Sequence, residues 1–369
     1  MVAPDLEQLA LNGDTGAQIA LARALRMDGH FSDAETWLRR AVATGNVEAM
    51  ADLGLQLYLG QPPVPDSILQ EAVKLILAAA NAGHASSAHM AALIAAQDPQ
   101  IPNHWQYALD YAARAAAGGY GVAQLILAFL SNEQRALMAL SRREMLPPDI
   151  WQNLRERIDI GALLAAPRNI RVLSSSPYIA MAEGFVPPSM CDWIVSRAKP
   201  SMKKGEGYFP EGAGIILRTN SDLNYGFHEL DLVHMVVRQR IANVTGLAQS
   251  GLEPPSIYHY ATGEEFSPHY DFLNPDVPVL AAEIARTGQC VATVLVYLND
   301  DFEGGETDFV DLGLKARGRK GDALIFRNVD ESGVPDMRTR HAGRPPTRGE
   351  KWLFSQFIRD TKQANKLPG

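Results

Sequence analysis

The chain has 369 residues, a formal net charge of −8 and a hydrophobic content of 46%. That length allows two or three ordinary domains, and the acidic balance argues against nucleic acid as the main partner, because phosphate binding needs a basic surface. Two cysteines, Cys191 and Cys290, with no CxxC or Cys/His cluster, argue against a disulfide framework and a structural zinc site, and suit a reducing compartment. The first residues, Met1-Val2-Ala3-Pro4-Asp5-Leu6-Glu7, lack the basic and apolar parts of a signal peptide. Apolar runs such as Ala72 to Ala82 are too short or too charged to span a bilayer. A cytoplasmic protein without a membrane partner is expected.

Residues 5–130 are rich in Ala and Leu with helical periodicity. Aligning glycines exposes a repeat: Gly13 precedes Ala17 by four residues, as Gly45 does Ala49, Gly83 does Ser87 and Gly119 does Ala123, at intervals of 32, 38 and 36 residues. Each glycine is read as a helix end that needs positive φ, and each following Ala or Ser as the point where the next helix approaches closely. Gly60 and Gln61-Pro62-Pro63-Val64-Pro65-Asp66 interrupt one repeat, with Asp66 or Ser67 placed to cap the next helix. The pattern resembles Sel1-like repeats, short-helix relatives of the tetratricopeptide family. Such arrays present a concave binding face; the alternative is a scaffold that stabilises its neighbour or makes a homodimer. Trp37, Tyr58, Trp105 and Tyr107 lie on these helices and are read as core fillers.

Residues 131–166 are read as a helical linker, with one segment from Asn132 to Glu144, a break at Pro147-Pro148, and Asp149 capping a helix from Ile150 to Ile160. Pro167 ends the helical region, so the boundary is placed near Ala166.

The third part, residues 167–362, changes to short strand-like runs broken by Gly, Pro, Asn and Asp. Early strands are expected at Ile170–Leu173 and Tyr178–Met181, and helices at Met190–Ala198, after Pro187-Pro188-Ser189, and Glu229–Gly246. Further strands are expected at 256–260, 266–271, 291–298, 307–310, 323–326 and 351–359. The pattern predicts an α+β chain: a helical repeat followed by a two-sheet jelly roll, the double-stranded β-helix, with packed helices.

Two stretches carry the chemistry. In Ser267-Pro268-His269-Tyr270-Asp271 an imidazole and a carboxylate are two apart, and on a strand they project to one side. His341 can complete a face of two histidines and a carboxylate, which leaves positions open on Fe(II) for oxygen chemistry. Lys351 follows His341 by ten residues and opens the apolar strand Trp352-Leu353-Phe354. A buried lysine there needs an anionic partner.

Several blocks then agree in order: Arg218-Thr219-Asn220-Ser221, Glu253 to Asp271, Ala292 to Asp300 with Gly304-Gly305-Glu306-Thr307, Lys320 to Phe326, and His341 to Lys351. Residues from about 170 to 360 resemble the prolyl 4-hydroxylase branch of the iron(II)/2-oxoglutarate dioxygenases. The resemblance implies that His269, Asp271 and His341 ligate iron and that Lys351 binds the distal carboxylate of 2-oxoglutarate. It also implies that Tyr260 and Thr307 donate to that carboxylate, with Thr293 ranked below Thr307. Decarboxylation of the co-substrate to succinate would be coupled to O2-dependent hydroxylation of an aliphatic C–H, with ascorbate as reductant.

The substrate side is read from the same resemblance. Arg218 and Glu253 fall near the expected peptide. Lys203 to Gly214 is read as a loop over the site, and residues 272–288, with a short helix near Ala281–Arg286, as a second lid. Two positions depart from the peptide hydroxylases: Cys290 follows Gln289 where an arginine is common, and Phe357 replaces a tryptophan. The leading expectation is hydroxylation of a prolyl or other residue in a protein or peptide presented by the repeats. The alternatives are a hydroxylase of a free or carrier-bound amino acid, and a non-catalytic adaptor.

Overall fold

The computed structural model describes residues 4–60, 64–165, 167, 169–205 and 217–360. Pro62-Pro63, Ala166 and the 206–214 part of the glycine-rich loop lie outside the described residues. The chain divides into two compact units, one up to Ile160 and one from Gly161 onward.

The first unit is helical: α1 Pro4–Leu11, α2 Thr15–Met27, α3 Phe31–Val42, α4 Val47–Tyr58, α5 Asp66–Asn81, α6 Ala85–Gln97, α7 His104–Ala117, α8 Gly121–Leu130, α9 Gln134–Ser141 and α10 Ile150–Glu156. Gly13, Gly45, Gly83 and Gly119 have φ of +93°, +79°, +93° and +87°, the left-handed conformation expected of them. At three of them the next residue's N–H returns to a carbonyl in the previous helix (Asp14 to Leu9, His84 to Ala79, Tyr120 to Ala115), closing the six-residue loop that ends a helix at glycine. The same residues start the following helix: Asp14 and His84 accept from the backbone N–H of Ala17 and Ser87, as Asn46 does from Ala49. Ala17, Ala49, Ser87 and Ala123 are all buried, and at the first three of these turns glycine, side-chain cap and small residue form one device; at the fourth, Tyr120 gives no side-chain cap.

Several local expectations change. Asp66 is the first residue of α5 and not its cap; the N-cap is Pro65, whose side chain carries no acceptor for the first-turn N–H groups. The 131–166 stretch breaks at the prolines as expected, but its helices are shorter: α9 stops at Ser141 rather than Glu144, and α10 ends at Glu156 rather than Ile160, without a side-chain bond from Asp149. Trp105 is buried, and Trp37 and Tyr58 pack against the core, but Tyr107 is 53% exposed.

The second unit begins with α11 Ile160–Leu164, β1 Ile170–Ser175, β2 Tyr178–Ala182, α12 Pro188–Ala198, β3 Lys203–Lys204, β4 Ser221–Asn224 and α13 Leu232–Thr245. It continues with β5 Ser256–Tyr260, β6 Phe266–His269, α14 Pro278–Thr287, β7 Cys290–Tyr297, β8 Glu303–Gly304, β9 Thr307–Phe309 and β10 Leu314–Ala316. The last strands are β11 Ala323–Arg327, β12 His341–Gly343, β13 Pro346–Arg348 and β14 Lys351–Arg359. An eight-stranded sheet has the order β1-β2-β11-β7-β14-β5-β4-β3, and a four-stranded sheet the order β10-β9-β12-β6. All their pairings are antiparallel. One apolar core joins them, with Tyr258, Leu295, Phe326 and Leu353 from the large sheet against Phe309 and Ala316 from the small one.

Strand alternation sorts β14 into two faces. Lys351, Leu353, Ser355 and Phe357 point into a cavity between the sheets. Phe354 and Gln356 point outward to α13, where His234 packs on Phe354 and Arg238 Nη1 donates to Gln356 Oε1 at 2.9 Å. That helix is capped by Asp231, whose carboxylate accepts from the N–H groups of Val233 and His234, and it ends at Gly246 with φ +67°.

Candidate active site

Pairing of β12 with both of its neighbours builds the site. His341 lies opposite His269 of β6 and Phe309 of β9, and Gly343 lies opposite Thr307. On the other sheet Lys351 of β14 is paired with Tyr260 of β5. Strand β6 ends at His269, so Asp271 sits in the bend just beyond it rather than on the strand. The carboxylate still meets the imidazoles: His269 Nε2 is 3.5 Å from Asp271 Oδ1, and His341 Nε2 is 3.6 Å from Oδ2. One ligand atom from each of the three lies within 4.8 Å of the other two.

The ring nitrogens facing away from this cluster fix its chemistry. His269 Nδ1 donates to the Ser267 carbonyl at 2.7 Å, and His341 Nδ1 donates to the Thr339 carbonyl at 3.0 Å. A carbonyl can only accept, so both rings carry a proton on Nδ1, which leaves Nε2 as the nitrogen turned to the cluster and able to ligate. This backbone orientation is what a metal-binding histidine needs. Phe266 stacks on His269 with centroids 3.8 Å apart, and Phe326 and Phe309 hold His341.

Burial pushes His341 down to about 4, against the pull of Asp271, so the ring stays neutral at ordinary pH. Burial also works against the Asp271 carboxylate. Contact with the His341 and His269 rings and the bond from the Thr293 hydroxyl outweigh it and hold Asp271 below the usual carboxyl range. Two imidazoles and one carboxylate are a donor set for a divalent metal with open positions, and this donor set fits iron(II).

The same cavity holds Lys351, which has no solvent exposure. Its Nζ donates to the Gly305 carbonyl at 2.9 Å and lies 4.2 Å from the Tyr260 ring centroid. Burial pushes this amine down to about 7, with Glu306 opposing. A buried ammonium with one carbonyl and one ring face calls for an anion. Tyr260, Thr307 and Gly343 line the cavity beside it. Burial raises the Tyr260 phenol, so it remains a protonated donor. A Cβ on Gly343 would lie 3.0 Å from the Tyr260 hydroxyl, so the glycine keeps that space open. Gly305 has φ +68°, which explains the glycine in the Gly304-Gly305-Glu306-Thr307 turn that presents its carbonyl.

A wider groove adjoins the cluster and shares His269 and Asp271 with it. Arg218, Glu253, Cys290 and Phe357 all line this groove. Arg218 pairs with Asp222 at 2.9 Å and lies over the rings of Tyr258 and Phe266, so its guanidinium is engaged. Glu253 pairs with Arg359, which also donates to the Gly288 carbonyl at 2.8 Å and meets Glu283 of α14 at 3.3 Å. Gln289, beside the cysteine, accepts from the Leu273 N–H and donates to the Leu273 carbonyl, pinning the 272–288 segment.

Thr293, ranked below Thr307 as a donor to the co-substrate, lies outside the residues that line the Lys351 cavity. Its hydroxyl bonds to Asp271 Oδ2 at 2.7 Å, on the carboxylate side of the metal cluster. Asn328, which was not singled out in the sequence, donates from Nδ2 to Thr293 Oγ1 at 3.0 Å. The available signal was a hydroxyl at an inward position of an otherwise apolar strand, Cys290–Tyr297.

Comparison with known proteins agrees with this arrangement. A family model described as the 2OG-Fe(II) oxygenase superfamily matches residues 255–359. The chain is 28% identical over 238 residues to Probable prolyl 4-hydroxylase 4 of Arabidopsis thaliana, covering 57% of this chain and 76% of that protein. It is 30% identical over 213 residues to Probable prolyl 4-hydroxylase 9 of the same plant, covering 52% of this chain and 72% of that protein. It is also 34% identical over 132 residues to human Prolyl 4-hydroxylase subunit alpha-1, covering 36% of this chain and 24% of that subunit.

Proposed function

The chain belongs to the 2OG-Fe(II) oxygenase superfamily, in its prolyl 4-hydroxylase-like branch, and from that we propose that it hydroxylates a prolyl or other residue of a protein or peptide. The observation that carries this reading is the His269–Asp271–His341 cluster sharing one cavity with the buried ammonium of Lys351. We assign His269 Nε2, His341 Nε2 and an Asp271 oxygen as the iron ligands. Iron(II), 2-oxoglutarate and O2 are the family's cofactor and co-substrates, and together they supply oxidation of an unactivated C–H coupled to decarboxylation.

The chain's own groups supply position and electrostatics. Lys351 would neutralise the distal carboxylate of 2-oxoglutarate, with Tyr260 and Thr307 donating hydroxyl bonds to it. The Ser267 and Thr339 carbonyls hold the imidazoles in the metal-binding tautomer. Phe266, Phe309 and Phe326 exclude water around the rings. The wide groove beside His269 and Asp271 suits a chain-like substrate more than a free amino acid, with Glu253, Arg218, Cys290 and Phe357 as its candidate contacts.

We read the two sheets as the family's double-stranded β-helix, the helical unit as Sel1-like repeats that dock the substrate protein or make a homodimer, and ascorbate as the reductant. Among the described residues no helix is long and apolar enough to cross a membrane; a cytoplasmic site of action is our reading from composition.

The test supplies purified protein with Fe(II), ascorbate and 2-oxoglutarate. Slow succinate formation is expected without substrate, and its loss in His269→Ala. An inactive metal-substituted form should then retain peptide or protein partners. Recovery of none, alongside turnover of a free amino acid, would favour the small-molecule reading. No metal binding and no succinate under any condition would leave a non-catalytic adaptor.

A further inference from the structure

Behind the Asp271 carboxylate lies a buried polar chain with its own direction. Asn328 is fully buried at the end of β11, and Thr293 is buried at the inward face of β7. Asn328 Nδ2 is 3.0 Å from Thr293 Oγ1, and Thr293 Oγ1 is 2.7 Å from Asp271 Oδ2. The second proton of the same amide group meets Cys290 Sγ at 3.4 Å.

The order of donation follows from the groups. An amide NH2 can only donate, so the threonine oxygen accepts from it. A hydroxyl has one proton, and the carboxylate can only accept, so that proton goes to Asp271 Oδ2. The bond from Thr293 occupies one lone pair of Oδ2, which lies 3.6 Å from His341 Nε2, whereas Oδ1, 3.5 Å from His269 Nε2, accepts no hydroxyl and is the oxygen better placed to ligate. One carboxylate oxygen and two imidazoles then take three positions on a metal and leave the opposite face open.

We propose that Thr293 and Asn328 are positioning residues that hold Asp271 as a single-oxygen metal ligand, with Cys290 as the outer anchor of the amide. Cys290, which also lines the groove, thereby acts on the metal side as well. The inference rests on the metal-site reading above. It extends that reading to two residues that touch neither substrate nor co-substrate.

The experiment measures Mn(II) affinity of the full chain by titration, with Co(II) absorption spectra as a second readout and thermal melting as a check on folding. Thr293→Val keeps shape and removes the donor; it should bind Mn(II) about 10–100-fold more weakly, the usual effect of losing a bond behind a metal ligand. Thr293→Ser restores the hydroxyl and should restore both affinity and the Co(II) spectrum. Asn328→Asp is the same size but accepts instead of donating, so it draws the threonine proton away from Asp271 and should weaken binding as the valine does. Parent-like Mn(II) affinity in Thr293→Val overturns the proposal. So does a serine variant as weak as the valine, which would mean packing alone. An aspartate variant that binds like the parent overturns the stated direction of donation. If the valine variant does not fold, the serine and aspartate variants still decide. A parent chain that binds neither ion defeats the metal-site reading itself, an outcome distinct from normal parent binding with unaffected variants.

Discussion

Lys351 and His341 are each held in a protonation state that the surrounding residues dictate, and each sets a pH dependence. Burial lowers His341 from 6.5 to about 4, so the unfolded chain takes up a proton that the folded one refuses. Its contribution to stability is therefore complete above about pH 6.5 and falls as pH drops towards about 4, by up to roughly 3 kcal/mol. Denaturant melts of the metal-free protein across this window should show the decline, and His341→Asn should flatten it. Lys351 is lowered from 10.5 to about 7, so above that pH much of it is neutral in the metal-free, ligand-free protein. An anionic co-substrate must then recruit a proton. Calorimetry near pH 8 in buffers of different ionisation enthalpy should detect proton uptake, with affinity for 2-oxoglutarate weakening as pH rises. Lys351→Ala should cost about 2–5 kcal/mol of that binding, thirtyfold or more in Kd, while Mn(II) affinity stays near the parent's. At this scale the sequence was informative. His269, Asp271, His341 and Lys351 were legible because the HxD pair, the Gly-Gly-Glu-Thr turn, the distal histidine and the lysine ten residues later occur together in one order, whereas the HxD spacing by itself says little. Asn328 was not, since a lone buried asparagine has no pattern until its partners arrive from other strands.

Strand β12 shows how much an element of three residues can decide. It lies between β6 and β9, so His341 faces His269 while Gly343 faces Thr307. Gly343 has room for a hydrogen but little more, with the Tyr260 hydroxyl 3.0 Å from a built Cβ. Gly343→Val should displace Tyr260 and weaken 2-oxoglutarate binding by tenfold or more, while metal titrations remain close to the parent's; an overpacked contact of this kind costs about 1–3 kcal/mol. In the helical unit Asn46→Ala removes the bond that caps α4 and should cost about 1 kcal/mol in thermal melts. Long strands such as β14 were readable from their runs, with the same bounds as expected. The brief strands β4, β10 and β12 were not, because three or four residues carry no periodicity above the background. The extended reading of Ser267 to Asp271 failed for a related reason: β6 stops at His269 and the bend delivers Asp271.

At the scale of the whole molecule, a helical unit and an oxygenase unit share one chain. If the helices serve to dock a protein substrate, removing residues 1–160 should leave slow, substrate-free succinate formation intact and abolish the acceleration by the trapped partner. Loss of both activities would indicate instead that the helices are required for folding. Sedimentation of the full chain and the truncated chain distinguishes the homodimer alternative.

Composition and spacing alone indicated that this chain would be helical first and sheet-rich later and that its turns would fall at Gly13, Gly45, Gly83 and Gly119; the four side chains proposed for metal and anion chemistry stood out only when their spacing was joined to the family resemblance. These are local properties: a glycine that needs positive φ or a histidine two residues before an aspartate is written in the order of residues. The tertiary structure decided the rest. It made Lys351 fully buried, turned both Nδ1 atoms to backbone carbonyls, sent Thr293 to Asp271, and brought Asn328 and Cys290 behind it. Those outcomes depend on the register between strands distant in sequence, and a shift of one residue would turn each of these side chains to the opposite face.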